Sequence, residues 1–458
     1  MSQTALGTGL QPVEPTLKTS PRFYYALFAF NAVLVLGFWW ISTGTQPVRS
    51  SGDLLNVLGR VTGLLGTYGV LWQLVLMARV PWLEAAFGLE RLAVLHRWNG
   101  YASFGLLVAH AIFQTLGYQV LDGLSAVAQI RDFITAYDGL LAAIIGLLLL
   151  LAVVGVSIAI SRRRLAYETW YFIHLYTYLG IALAFSHELA VGADFIANRA
   201  FVFYWWALYI VVAGCLLAFR VVKPLLRFER HRFQVQRVQR EAPGVVSIYI
   251  RGRDVSDFQA KAGQFLLWRF LDRRRWWQSH PFSLSMAPNR RHLRLTVKAI
   301  GDFTSGVATL KPGTRVLVEG PFGQFTERGR PRSSVLLIAG GIGITPLRAL
   351  AEEMVAEGVD VCLLYRCRRE HDIVFRNELD RLAEDSQMRV EYLLSNGHAH
   401  RRPDQLGPEL LRQLVPDLLQ REIYVCGPPG MRATVRESLH QLGARDDQIH
   451  SEVFRLTP

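Results

Sequence analysis

Six stretches of about 20 predominantly apolar residues fill the first half of the chain, each long enough to cross the hydrocarbon core of a bilayer as a helix. They lie near Tyr24–Ile41, Leu54–Met77, Trp98–Tyr118, Leu140–Ile160, Trp170–Leu189 and Phe201–Val222. Hydrophobic residues make up 51% of the 458 positions, and charged residues still supply 19%. The two figures agree because the apolar residues are segregated: after about Val222, charges and short alternating segments take over. One half of the chain belongs in lipid and the other in water. The second stretch is interrupted by glycines, and the third and fifth are the least purely apolar, as expected of helices that face a cofactor instead of lipid.

Charge asymmetry orients the six spans. Lys18 and Arg22 precede the first; Arg79, Arg91 and Arg97 lie between the second and third; Arg162, Arg163 and Arg164 lie between the fourth and fifth; Arg220, Lys223 and Arg227 follow the sixth. The opposite loops carry only Arg49, Arg131 and Arg199, with Asp53, Asp122, Asp132 and Asp194. A multi-pass protein of the cell membrane is expected, with both termini and the water-soluble half in the cytoplasm. The net charge of +13 does not point to nucleic acid, because the basic residues flank the spans instead of clustering on one face. The cysteines (Cys215, Cys362, Cys367, Cys426) form no CxxC pair, so neither a disulfide framework nor a zinc site is indicated. No cleaved signal peptide is expected from the N-terminal residues.

Span three holds His96 and His110, and span five holds His174 and His187. Both spans run from the cytoplasmic side outward, so His96 and His174 fall nearer the cytoplasm and His110 and His187 nearer the outside. The spacings of fourteen and thirteen residues correspond to rises of about 21 and 20 Å. Side by side, the two helices offer two histidine pairs, each able to clamp a haem iron from both sides through neutral imidazole. The plainer alternative is four polar side chains that only bond their neighbours. Ionisable groups inside spans are costly and functional when present, and four at matched depth favour the haem reading. One geometric question stays open. At 100° per residue fourteen steps return within about 40° of the same face, whereas thirteen miss it by about 140°. Span five must therefore kink, change pitch, or present its histidines along different flanks. Arg60, at roughly the depth of His110, is either a snorkelling arginine or a cation beside the outer haem that bonds a propionate or attracts an anionic acceptor.

From about Phe233 the pattern becomes FQVQRVQR, VVSIYIRG, GQFLLWRF, HLRLTVKAI and RVLVEGPFG, short strands punctuated by Gly and Pro that predict a small antiparallel β-barrel. From Ser334 strands alternate with helices, predicting an α/β domain with a parallel sheet. Its first turn, Gly340-Gly341-Ile342-Gly343-Ile344-Thr345-Pro346, follows a buried strand and opens a helix, with Thr345 placed to cap it and Pro346 suited to its first turn. Such a turn admits a pyrophosphate to the backbone at a helix N-terminus, or is simply a tight turn. The expected organisation is a tail (1–22), a six-span haem-binding membrane domain (23–229), a small β-barrel domain (230–332) and a nucleotide-binding α/β domain (333–458).

Five motifs in order, HPFSLS (His280–Ser285), VKAIGDFT (Val297–Thr304), GPFG (Gly320–Gly323), GGIGITP and CGPPGM (Cys426–Met431), resemble the ferredoxin–NADP reductase superfamily. Joined to the six-span, four-histidine half, the chain from about residue 50 onward resembles the NADPH oxidase and ferric reductase family. The resemblance implies FAD, NADPH and two b-type haems. It implies that His280, with Pro281 in the same motif, contacts the FAD pyrophosphate, that Phe282 packs on the flavin ring, and that Ser283 bonds near flavin N5. Lys298, Gly301 and Thr304 are implied to help hold the FAD phosphates, Gly340, Gly341, Gly343 and Thr345 the nucleotide pyrophosphate, and Cys426 and Gly427 to lie beside the nicotinamide. The family often ends on an aromatic that shields the flavin; here Glu452-Val453-Phe454 is similar, but four more residues follow Phe454. Arg366, Arg368 and Arg369 either grip a 2′-phosphate, favouring NADPH, or form a solvated basic loop. His398 and His400 lie in a polar loop without further ligand candidates.

The activity this implies is electron transfer from cytoplasmic NADPH through FAD and two haems to a small acceptor outside: oxygen in a superoxide-forming oxidase, or a ferric chelate. A relay that reduces an external partner protein, and a haem-free membrane anchor for a flavin reductase, are the rival classes.

Overall fold

The computed structural model describes residues 20–161, 167–289, 291–327, 333–395 and 406–452. The chain divides between Gly214 and Cys215 into two compact units. That division falls inside the last apolar helix.

In the first unit the main helices are α1 (Pro21–Trp39), α2 (Ser51–Met77), α3 (Leu89–Asp122), α4 (Leu140–Ser161), α5 (Tyr167–Val191) and α6 (Arg199–Leu216). Ser50 starts α2 with a capping box: its hydroxyl accepts from the Asp53 N–H, and the Asp53 carboxylate accepts from the Ser50 N–H. Among the described residues five helices are long and apolar enough to cross a membrane: Pro21–Gly44, Ser51–Met77, Leu89–Asp122, Leu140–Ile158 and Arg199–His231. The remaining expected span lies in α5, which stays outside that set; His174, His187 and Glu188 dilute its apolar character.

The closest packing in this unit rests on glycine. A Cβ on Gly52, Gly59 or Gly66 of α2 would meet Leu121, Gln114 or Leu107 of α3 at 2.9, 2.7 and 3.0 Å, and one on Gly63 would meet the His110 ring at 2.5 Å. With lipid as apolar as leucine, helices in a membrane associate through close backbone approach, which small residues permit. The pair α4 and α5 does the same at Gly146, where a Cβ would lie 2.6 Å from the Gly180 carbonyl oxygen.

The second unit begins with the end of the last apolar helix, which runs through a π-helical stretch (Leu217–Val222) into α7 (Lys223–His231). Here Arg227 donates to the carbonyl of Gly320, tying this helix to the flavin lobe. Six antiparallel strands follow: β1 (Gln234–Ala242), β2 (Val245–Arg251), β3 (Phe265–Phe270), β4 (His280–Ser283), β5 (His292–Lys298) and β6 (Val316–Phe322). They form two three-stranded sheets, β1-β2-β5 and β4-β3-β6. Single bridges, Gln234 to Arg315 and Leu284 to Leu295, join the sheet edges at two corners. Backbone hydrogen bonds add to these bridges, from Val235 to Thr314, Val316 to Phe233 and Ser285 to Arg294, and β4 is the shortest strand of the six at four residues. The alternating inward residues, including Ile248, Leu266, Trp268, Phe270 and Leu295, close on one core.

The nucleotide lobe is a five-stranded parallel sheet of β7 (Ser334–Gly340), β8 (Asp360–Cys367), β9 (Arg389–Leu394), β10 (Glu422–Cys426) and β11 (Ile449–Glu452), in the order β11-β10-β7-β8-β9. Its covering helices include α8 (Ile344–Ala356), α9 (Arg376–Glu384) and α10 (Pro429–Gln441). Chain order reverses between β7 and β10, and in open parallel sheets ligands bind at such a switch point, beyond the carboxyl ends of the strands.

Candidate functional site

The four membrane histidines meet as two pairs. The ring centroids of His96 and His174 lie 6.1 Å apart, and those of His110 and His187 lie 6.3 Å apart. Early pairs with early and late with late, so α3 and α5 run parallel. The structure also answers the spacing question: α5 is α-helical across Tyr167–Val191, and its two histidines leave along different flanks. The His174 ring lies flat on Trp170, one turn back, at 5.0 Å. The His187 Nδ1 turns instead to the carbonyl of Ala184 on its own helix.

The α3 histidines are held from outside their helix. His96 Nδ1 lies 3.1 Å from the Gln73 carbonyl and His110 Nδ1 lies 2.8 Å from the Gly59 carbonyl, both on α2. A carbonyl only accepts, so each contact requires the proton on Nδ1 and leaves the Nε2 lone pair unused. Such outer hydrogen bonds fix tautomer and ring orientation in ligating histidines. Asn99 extends the set, donating to the Gly69 carbonyl and to Gln73 Oε1, each at 2.8 Å.

These residues fit haem. Two imidazoles on opposite sides of one iron, each bonded at about 2 Å, hold their ring centroids roughly 6 Å apart. Both pairs have that separation. Arg60 is half-buried on α2, and its Nε has no partner among the described residues.

Two features of this unit escaped the sequence reading. The α2 glycines are part of the site, because without them Gly59 and Gln73 could not bring their carbonyls to α3; their signal was the repeat of Gly52, Gly59 and Gly66 at seven-residue steps. The second is Glu188, next to His187. Its carboxylate accepts from Trp205 Nε1 at 2.8 Å, Tyr209 Oη at 3.2 Å and Thr67 Oγ1 at 3.4 Å. An acid inside a span was itself the signal.

In the flavin lobe, β4 presents the HPFS motif. His280 stacks on Phe303 with centroids 3.8 Å apart, and Phe282 lies parallel to the same ring at 6.3 Å. Ser283 is 4% exposed and its Oγ has no partner among the described residues, an orphan hydroxyl where the flavin is expected. Pro281 is half-buried beside them, Lys298 is exposed at the end of β5, and Gly301 has open space where a Cβ would stand. Thr304 is committed elsewhere: its hydroxyl accepts from the N–H groups of Ile300 and Gly301, both at 2.9 Å. It folds the turn, so a phosphate would meet the turn that Thr304 shapes before it met that hydroxyl.

At the switch point the glycines divide their work. A Cβ on Gly343 would strike the Cys426 carbonyl, and one on Gly340 would strike Met431; these two let the β7 and β10 ends pack together. Gly341, at φ +54°, faces open space and is the one positioned for a phosphate to approach. Thr345 does not cap the helix as expected. A 3₁₀ turn over Gly341–Gly343 feeds straight into α8, moving the cap position back to Gly343, and Thr345 sits buried with its hydroxyl on the Ile342 carbonyl at 3.0 Å. Arg366 is in register with Gly340 across the sheet, and Arg368 and Arg369 are exposed beyond it. Cys426 is fully buried, and burial first, then the charge of Glu452, pushes its thiol far above the usual range, so it stays a neutral thiol. Gly427, beside it, is half-buried. Phe454, Arg162, Arg163, Arg164, His398 and His400 lie outside the described residues.

Comparison with known families agrees with this division of labour. Residues 62–185 match the family described as ferric reductase like transmembrane component, residues 228–326 an FAD-binding domain, and residues 337–437 an oxidoreductase NAD-binding domain. The three matches run in the order of the ferric reductase and NADPH oxidase-like architecture: membrane component, FAD-binding domain, NAD-binding domain. Among related proteins, flavohemoprotein B of Dictyostelium discoideum is 24% identical over 262 residues, 50% of this chain and 60% of that protein. The glycine betaine monooxygenase reductase subunit of Chromohalobacter salexigens is 30% identical over 157 residues, 32% of this chain and 43% of that one. An NADPH oxidoreductase of Mycobacterium tuberculosis is 29% identical, covering 52% and 63% respectively. The chain spans about half the length of the curated relatives it matches. Of solved structures, the ferredoxin reductase in carbazole 1,9a-dioxygenase is 25% identical over 49% of this chain and 68% of that one, with a TM-score of 0.42.

Proposed function

We propose that this ferric reductase-like protein moves electrons from cytoplasmic NADPH through FAD and two b-type haems, across the membrane, to oxygen on the outer side. The observation that carries the reading is the pair of histidine pairs, each spaced to hold one iron with Nε2 available. When bound, the flavin accepts the two electrons of a hydride and the haems pass them on singly, which is why a nucleotide module and a haem-binding membrane half share one chain.

The residues divide the task as follows. Gly341 and the α8 N-terminus receive the nucleotide pyrophosphate. Arg366, with Arg368 and Arg369, favours the 2′-phosphate of NADPH. His280, Pro281, Phe282 and the orphan hydroxyl of Ser283 hold and orient the flavin, with Lys298 and the Gly301–Thr304 turn at its phosphates. Gly427 and the neutral Cys426 wall the nicotinamide side, and Phe454 is the candidate aromatic shield. In the membrane, the Gln73 and Gly59 carbonyls keep His96 and His110 in the tautomer that ligates through Nε2. Arg60 places a cation near the outer pair, where it would attract an anionic acceptor or retain a superoxide-like product.

A ferric chelate is the second reading of the acceptor, favoured by the ferric reductase description that residues 62–185 match. The deciding experiment is NADPH-driven turnover of purified, cofactor-replete protein with oxygen and ferric chelate compared, using superoxide dismutase to identify superoxide. Haem reduction by NADPH with negligible turnover on either acceptor would transfer the role to a relay for a partner protein. Absence of a bis-histidine haem spectrum would sink the reading altogether.

A further inference from the structure

Arg294 is a feature that neither cofactor site uses. It stands on β5 in the flavin lobe, 1% exposed. Its guanidinium makes a two-pronged contact with Glu378 of α9 in the nucleotide lobe, at 2.7 and 3.0 Å. It also donates to the Ser285 carbonyl at 2.6 Å and to Tyr249 Oη at 3.3 Å, and lies over the Phe375 ring at 4.5 Å. Glu378 takes a second guanidinium, with Arg348 Nε at 2.8 Å. Arg348 belongs to α8, the helix that the glycine turn opens, and pairs in turn with Glu352. Two backbone contacts back this up: the Ala287 N–H donates to Glu352 at 2.7 Å and the Ala262 N–H to Glu353 at 2.9 Å.

A buried ion pair of this kind is a poor way to gain stability, because desolvating both partners costs about what their attraction returns. What a planar guanidinium with a forked carboxylate supplies is direction. Ser285 lies two residues beyond Ser283, and Arg348 lies on the first turns of α8 beyond the glycine turn. The path Ser283, Ser285, Arg294, Glu378, Arg348, α8 thus links the strand expected to touch the flavin with the helix expected to carry the nucleotide.

We propose that Arg294 is a positioning residue that, through Glu378 and Arg348, sets the approach of the nicotinamide to the flavin. The inference rests on the NADPH and FAD reading above. The step it serves is hydride transfer: the C4–H bond of the reduced nicotinamide breaks, its hydrogen and electron pair go to flavin N5, and oxidised nicotinamide is left. Such a transfer needs the reacting atoms about 3–3.5 Å apart, and a shift near 1 Å can cost two orders of magnitude in rate.

The test uses the full-length holoprotein with Arg294→Lys, which keeps the charge and loses the fork, and Glu378→Gln, which keeps the shape and loses the charge. Stopped-flow flavin reduction by NADPH is measured with a primary deuterium isotope effect, and exchange of the backbone amides around Ala262 and Ala287 is followed by mass spectrometry without nucleotide. Both variants are expected to keep FAD and a Michaelis constant for NADPH within about twofold of wild type. They should slow flavin reduction by roughly tenfold or more, raise the isotope effect and speed exchange at those amides. Wild-type reduction and exchange rates in variants that retain FAD would overturn the proposal. So would loss of FAD or of folding in both, which would make the network a scaffold only. If wild-type flavin accepts electrons from dithionite but not from NADPH, the nucleotide reading itself fails, a result separable from either of these.

Discussion

The histidines of α3 and α5 face each other in the same pairs, but the two helices support them in opposite ways. On α3 each imidazole is anchored to a neighbouring helix, by the Gln73 and Gly59 carbonyls of α2. On α5 the support is local, from Trp170 under His174 and the Ala184 carbonyl behind His187. The α3 pair therefore depends on how closely two backbones approach, and the α5 pair on residues within one turn of itself. The first kind of support is sensitive to a methyl group added to the neighbouring helix; the second is sensitive only to its own neighbours.

The contrast is broken most severely at Gly63. Replacing it with leucine drives a side chain into the His110 ring, where even a Cβ would stand at 2.5 Å, and α2 and α3 must separate. Overpacking of this sort costs about 1–3 kcal/mol or more. Haem content should fall from two per chain toward one, with the His96/His174 spectrum retained; two haems with unchanged potentials would show that α2 does not hold the outer pair.

The soluble glycines carry the same logic at smaller scale. Gly343→Ala pushes a Cβ into the Cys426 carbonyl, overpacking that costs about 1–3 kcal/mol and should show chiefly as a lower melting temperature. Gly341→Ala meets no protein atom, but it bears the left-handed backbone cost of about 1–2 kcal/mol and puts a methyl where the phosphate approaches, so it should weaken NADPH binding by roughly tenfold, about 1.4 kcal/mol. NADPH titrations and melting curves of both variants check this: Gly343→Ala as the weaker NADPH binder and Gly341→Ala as the less stable protein would contradict the division of roles between the two glycines.

Local support predicts a milder change. Trp170→Ala removes the ring beneath His174, a contact worth about 0.5–1.5 kcal/mol, and should shift the potential of one haem while leaving the other within error. A shift in both haems, read by spectropotentiometry, would mean that the α5 histidines are not independently supported.

The smallest effect lies in the pH response of the lobe junction. Burial would raise the Glu378 carboxyl, but its bonds to Arg294 and then the charge of Arg348 more than offset this and hold it below the ordinary 4.5. Its contribution to stability is therefore complete above about pH 4.5 and lost as pH falls through the depressed value. Melting curves between pH 6 and 3 should show a loss that Glu378→Gln flattens; identical slopes in the two proteins would remove Glu378 from the acid response.

Much of the site is legible in the amino-acid sequence. The four histidines stand out because charge-capable side chains inside apolar spans are costly, and the glycine turn because it joins a buried strand to a helix. Thr345 reads as a cap yet is not one, because a 3₁₀ turn and the start of an α-helix look alike in sequence. The flavin-lobe strands pair as two sheets bridged at their corners, and alternation along one strand does not say which distant strand meets it there. The α2 glycines read as weaknesses in a span and prove to be the surface on which α3 rests.

By itself the sequence determined which half is apolar, which residues can ligate iron, and where a nucleotide turn begins, because these follow from composition and local spacing. Only the tertiary structure decided what holds each imidazole in place, how α5 presents both of its histidines, and that Arg294 joins the two soluble lobes. Those outcomes depend on contacts between segments far apart in the chain: a carbonyl of α2 against a ring of α3, and a guanidinium of β5 against a carboxylate of α9.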